Sequence, residues 1–141
     1  MTVQMILAPL FVQVLLTFAV MLGMMFYRTR SLLSGETRFE SIALREPNWP
    51  TRPTQFAYAF GNQFELPVLF YVLTILAMIT RHADLLFVIL AWVFVVLRIW
   101  QALVHITNNN VRVRGGLYGL GAIVLLVMWI IFIVRIMLEL P

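Results

Sequence analysis

The chain has no cysteine and no lysine, and only 11% of its residues are charged. Without cysteine it can form no disulfide, no thiolate zinc site and no cysteine nucleophile of its own. A soluble domain carries about 25% charged residues to cover its surface, so a soluble fold is excluded. Acidic residues number six and histidines two. His82 and His105 fall at opposite ends of one predicted helix, so neither a metal site nor a bis-histidine haem site can be assembled. All ten cations are arginines, and most of them flank apolar runs. The net charge of +4 therefore points to anionic lipid headgroups as the ordinary partner, not to nucleic acid.

What the chain does have is apolar residues, 62% of the total, in blocks long enough to cross a bilayer. The reading is an all-α integral membrane four-helix bundle, one domain over residues 1–141. Its spans are expected at about 3–27, 56–80, 85–106 and 116–138, with basic loops at 28–55 and 107–115. The N-terminus lacks a charged n-region and a small-residue cleavage site, so the first span reads as a retained helix.

Arg28 and Arg30 are expected to end the first span. In the loop that follows, Phe39, Ile42 and Ala43 fall at helical spacing with Arg38, Ser41 and Arg45 turned away, which predicts a short amphipathic helix at the headgroups. Pro47, Pro50 and Pro53 mark the next stretch as non-helical, with Trp49 as an interfacial anchor. Seven arginines lie in the first and third connections, against Arg81 and Arg135 at the other end. The positive-inside rule then puts the basic loops in the cytoplasm and both termini outside. Short loops and the all-arginine basic set suggest a bacterial inner membrane.

Ionisable groups inside the spans are the candidates for function. Tyr58, Asn62, Glu65 and Leu69 share one face of the second span, and Pro67 removes the hydrogen bond to Gln63, loosening or kinking the helix beside Glu65. Arg98, Gln101, Ala102 and His105 share a face of the third span. A short link, Arg81 to Asp84, makes the second and third spans antiparallel neighbours. Glu65 then lies ~13 Å and Arg98 ~12 Å from the basic end, so the two can pair. Such a pair is either a strut that fixes helix register or part of a site. His105, Arg114 and Tyr118 gather at the same mouth, while the other half is almost without polar groups, which argues against an ion or proton path. Gly61 leaves room for a neighbouring backbone, and Gly115 and Gly119 match the spacing that lets membrane helices approach.

Four spans, Asn-x-x-Glu before a proline (Asn62, Glu65, Pro67), an arginine in the third span (Arg98), and Arg-x-x-x-Tyr opening the fourth (Arg114, Tyr118) together resemble the MAPEG family, the membrane-associated proteins in eicosanoid and glutathione metabolism. The resemblance implies a homotrimer with glutathione bound between protomers near the cytoplasmic side, its thiolate attacking a lipophilic electrophile or peroxide. It implies that Glu65 holds the peptide's amino end with Asn62 and Arg98 in support, that Arg114 is the thiolate-activating cation, and that Tyr118 stacks on or bonds to the peptide. Arg38, after Ser34-Gly35-Glu36-Thr37, matches a family arginine that reaches the ligand. The chain departs from the pattern in carrying Tyr58 and Gly61 where prostaglandin-synthesising members have arginines. Gln101 stands in place of a histidine, and His105 in place of a tyrosine. Fewer cations and donors for a peptide with two carboxylates keep a second reading open: a non-catalytic scaffold or accessory subunit of a larger membrane complex.

Overall fold

A computed structural model describes all 141 residues. Six helices make four spans: α1 (Val3–Ser34), the single turn α2 (Phe39–Ile42), α3 (Thr51–Asn62) and α4 (Leu66–Ile79) together as the second span, α5 (Leu85–Ile106) and α6 (Val111–Met137). Each span is long and apolar enough to cross a membrane.

The ends of these helices are set by caps, and that is where the structure corrects the sequence. α1 does not stop at Arg28 and Arg30. It runs on to Ser34 and ends where Gly35, at φ 83°, donates its N–H to Leu32. Charge ends the apolar band of a helix but not its hydrogen bonding; a left-handed glycine ends both. The amphipathic helix beyond it is only one turn long, because the chain then folds onto itself. Asn48 donates to the Ser41 carbonyl, and Leu44 N–H donates to the Glu46 carboxylate. The proline-rich stretch, read as non-helical, instead starts α3 at Thr51. Pro53 lies in the first turn, where the missing N–H has no intrahelical partner to lose. α6 likewise begins at Val111, earlier than expected, because the Asn110 side chain accepts from the N–H groups of Arg112 and Val113. Arg112 and Arg114 are therefore helical. α5 matches its expected bounds, capped by Asp84, which accepts from Phe87 N–H at 3.0 Å.

The second span is broken, not merely kinked. α3 ends at Asn62, α4 starts at Leu66, and Glu65 stands between them at φ −98°, ψ −104°. Tight bonds carry the chain through: Gln63 N–H to Phe60, Phe64 N–H to Gly61 and Glu65 N–H to Asn62. Pro67 then occupies the first turn of α4. The buried Gln63 side chain fills the break, accepting from Gln13 of α1 at 2.8 Å and donating to the Ala59 carbonyl at 2.8 Å.

One apolar core joins α1, α4, α5 and α6 through Ile6, Phe70, Leu73, Ala91, Phe94, Val95, Leu125 and Met128, with Phe70 edge-on to Phe94 at 5.0 Å. A smaller core of Val20, Ala59 and Ala102 joins α1, α3 and α5. Gln13, Gln63, Thr74, Arg98 and Gln101 are buried polar side chains within the same bundle. The outward faces are apolar: Phe11, Leu15, Phe18 and Leu22 on α1, and Leu120, Ile123, Leu126 and Ile130 on α6, are exposed. Such a surface belongs in hydrocarbon.

Glycines divide into two kinds. A Cβ at Gly23 would come within 2.2 Å of the Phe56 ring, so α1 and α3 meet closely there. A Cβ at Gly61, Gly115 or Gly119 would meet nothing, so within this chain Gly61 faces open space, and Gly115 and Gly119 mark open surface instead of the close helix approach that their spacing suggests.

The end opposite the basic loops is tied by Arg135 to Asp84 at 2.9 Å, the one ion pair in the chain, and by His82 Nε2 to the Leu140 carbonyl at 3.0 Å. Burial pushes the Asp84 carboxyl up, but the hydrogen bonds from Arg135 and Phe87 N–H and the Arg135 charge outweigh it, and its pKa falls below the usual carboxylate value.

Candidate functional site

At the basic end an open cavity of about 610 Å³ lies between α3, α5 and α6. Tyr58, Gly61, Asn62 and Glu65 form one wall, Gln101 and His105 the floor, and Arg114, Gly115 and Tyr118 the other wall. The helix break positions the first wall. It ends α3 at Asn62 and leaves Glu65 between the two helices, exposed and without an ion-pair partner. The Asn110 cap positions the other wall by starting α6 early enough that Arg114 is helical.

Glu65 and Arg98 do not pair. Arg98, buried at 2% exposure, donates through Nη1 to Gln101 Oε1 at 2.7 Å and through Nη2 to the Asn62 carbonyl at 2.8 Å. Its guanidinium lies 5.8 Å from the centre of the Tyr118 ring. The break leaves carbonyls near Asn62 short of helical donors, and a fork of N–H groups satisfies one of them better than a single charge contact does. Arg98 thus lies beneath the cavity, holding Asn62 and Tyr118, while Glu65 remains free to meet a ligand.

The remaining contacts are sparse. Asn62 Nδ2 is 3.5 Å from His105 Nδ1, and the Tyr58 and His105 rings stack at 6.5 Å. His105 Nε2 is buried with no partner. Arg114 Nη1 donates to Asn109 Oδ1 at 2.6 Å, and Asn109 takes a left-handed backbone, φ 53°, to reach it. The lining therefore presents one carboxylate without an ion pair, one arginine bonded to an amide, the phenols of Tyr58 and Tyr118, the amides of Asn62 and Gln101, and the His105 imidazole. That set can hold an ammonium group and a carboxylate or thiolate of one ligand.

Of the residues singled out in the sequence, Asn62, Glu65, Arg114 and Tyr118 meet in this cavity and Arg98 supports it. Arg38 is exposed at the start of α2 and is not part of the lining. Sequence reasoning missed Gln13 and Gln63 as the pair that secures the break, and Asn109 as the residue that aims Arg114. Gln13 gave a signal, an amide in the middle of an uncharged run, which costs free energy in a membrane unless paired. Asn109 gave none beyond its place in a polar triplet.

No curated protein and no solved structure matches the chain. The sequence model of the MAPEG family matches residues 6–134, which include most of the first and fourth spans, the whole of the second and third, and every residue of the cavity. The chain belongs to the MAPEG family.

Proposed function

We propose that the cavity binds glutathione and that the protein transfers its thiol to a lipophilic electrophile or reduces a lipophilic peroxide with it. The observation that carries this reading is the meeting of Glu65, Asn62, Arg114 and Tyr118 in one open cavity, with Glu65 unpaired. Glutathione has one ammonium group, two carboxylates and a thiol. Glu65 takes the ammonium, Asn62 bonds the adjoining carboxylate or amide, and Tyr118 packs on the peptide. Arg114 lies by the sulfur.

A free thiol ionises near pH 8.5, and a guanidinium beside it favours the thiolate, which is the nucleophile. The thiolate attacks the electrophilic carbon, the S–C bond forms, and the displaced electron pair takes up a proton or leaves with its group. In the peroxide case the thiolate attacks the peroxide oxygen, the O–O bond breaks and the alkoxide leaves as the alcohol after taking a proton. A second glutathione thiol then displaces water from the sulfenic acid to give the disulfide.

The cavity is open between α3 and α6, and the uncovered Gly61 of α3 and Gly115 of α6 border it. A homotrimer in which a neighbouring protomer closes that side accounts for both, and Arg38 of such a neighbour is the natural further cation. The arginine asymmetry supports a basic end that faces the cytoplasm with both termini outside. The short loops and all-arginine basic set support a bacterial inner membrane.

A second reading is favoured by one feature: Arg114 is the only cation on the lining, it is already engaged by Asn109, and glutathione has two carboxylates. In that reading the protein is a scaffold or accessory subunit of a larger membrane complex. Calorimetry of glutathione binding to the purified protein separates the two. Saturable binding weakened by Glu65→Gln supports the thiol site; no binding at millimolar glutathione rejects it and leaves the scaffold.

A further inference from the structure

The basic end carries a second cavity, of about 540 Å³, between the end of α1, the 42–49 segment and the neighbouring flank of α3. Ala57, Tyr58 and Gly61 border both cavities, but the two are unlike. The second is lined on its polar side by Arg28, Arg45, Glu46 and Trp49, and on the other by Met24, Phe60 and Phe64.

The arginines are poised for a ligand. The Arg28 guanidinium stacks over the Trp49 ring at 4.9 Å, which fixes its plane while leaving its edge for in-plane hydrogen bonds. Its Nε is buried and has no partner. Arg45 takes a left-handed backbone, φ 63°, unusual for a residue with a Cβ, and its side chain has neither ion pair nor hydrogen bond. Glu46, the one acid on the lining, accepts from Leu44 N–H at 3.2 Å. Two arginines therefore share the lining with one carboxylate, leaving a net positive charge there. The apolar side runs along α1 and α3 onto exposed surface, where Phe64 is uncovered. An anion with a hydrocarbon tail, held at the level where apolar surface gives way to basic loops, fits both halves.

We propose that this cavity is a binding site for one anionic phospholipid, its phosphodiester between Arg28 and Arg45 and its acyl chain along Met24, Phe60 and Phe64. Guanidinium groups bind phosphate through paired N–H donors, and the stacked Trp49 holds one of them at the right tilt. The site is independent of what occupies the polar cavity.

The test uses the full-length chain, purified and delipidated, offered equal amounts of phosphatidylglycerol and phosphatidylcholine and read by native mass spectrometry. One phosphatidylglycerol per chain is expected, preferred several-fold. The preference should vanish in the double variant Arg28→Gln, Arg45→Gln and persist in Arg30→Gln, Arg112→Gln, which removes two arginines of the same end outside the cavity. No preference in the unsubstituted chain, or equal loss in both double variants, overturns the proposal in favour of diffuse surface charge. Inorganic phosphate that competes as well as short-chain phosphatidylglycerol overturns it in favour of a soluble anion. Should the double variant fail to fold, tryptophan quenching replaces it: the fluorescence lost on Trp49→Phe should be quenched more by acyl-brominated phosphatidylglycerol than by brominated phosphatidylcholine. Equal quenching overturns the site.

Discussion

Arg98 donates to the backbone carbonyl of Asn62 at 2.8 Å and leaves Glu65 without an ionic partner. The buried cation of the third span thus serves the broken helix, and the carboxylate stays available to the cavity. An ion pair would have made Glu65 and Arg98 equally necessary for stability; this arrangement separates them. Arg98→Met leaves Gln101 Oε1 unpaired and the Asn62 carbonyl with only the long 3.4 Å bond from Glu65 N–H, a cost of about 1–3 kcal/mol. Glu65→Gln should stay within about 0.5 kcal/mol of the unsubstituted chain. Unfolding in mixed micelles measures both, and equal losses would restore the ion pair.

The Gln13–Gln63 bond joins α1 to the break across the bundle. Gln13→Leu should cost about 0.6–2 kcal/mol, within the range for interhelical hydrogen bonds in membranes. Adding Gln63→Leu should cost less than the sum of the single changes. A double-mutant cycle that comes out additive would show that the bond contributes nothing.

Gly23 and Gly119 make opposite predictions. Gly23→Ala forces the Phe56 ring to move and should destabilise the protein by about 1–3 kcal/mol, as overpacking does. Gly119→Ala meets open space and gains helix propensity, so the protomer should be unharmed or stabilised by about 0.5–1 kcal/mol. A Gly119→Leu variant that folds but loses its oligomeric state by analytical ultracentrifugation would assign that face to a neighbouring protomer.

The Asp84–Arg135 pair sets a pH dependence at the opposite end. The Asp84 pKa in the folded protein lies below its ordinary 3.8, so the folded state binds the proton more weakly than the unfolded state does. The stabilisation is complete above the unfolded value and is lost as pH falls through the folded one. Asp84 is 46% exposed, so solvent screening limits the pair to about 0.2–1 kcal/mol. Asp84→Asn should be less stable than the unsubstituted chain by a constant margin from pH 7 down to about 5, and the margin should close below about pH 4. A margin that widens in acid would contradict the assignment.

If Arg114 favours the thiolate of bound glutathione, Arg114→Ala should raise the apparent pKa of thiol conjugation and lower the rate near neutral pH by on the order of 10- to 100-fold. Asn109→Ala frees Arg114 from the 2.6 Å bond that aims it and should lower the rate less, with the same direction of pH shift. A lower rate with an unmoved pH profile would make Arg114 a binding residue only.

Composition and apolar run length alone settled the four spans, their helical class and the membrane as solvent, because hydrocarbon admits few alternatives to a continuous apolar helix. The local spacing of Asn62, Glu65, Arg98, Arg114 and Tyr118 was enough to bring the family into view. What the tertiary structure decided was pairing and termination. Opposite charges at similar depth suggest an ion pair, yet the break at Gln63–Glu65 freed a backbone carbonyl that Arg98 meets instead. Glycine spacing suggests close helix contact, yet within the chain Gly23 supplies it and Gly115 and Gly119 do not. Helix ends followed Gly35 and Asn110, not the charges that mark the apolar boundary. The reason is common to all three. Hydropathy is a property of each segment and survives in one dimension, whereas a hydrogen-bonding partner is chosen by whichever unsatisfied group the folded neighbours bring within about 3 Å.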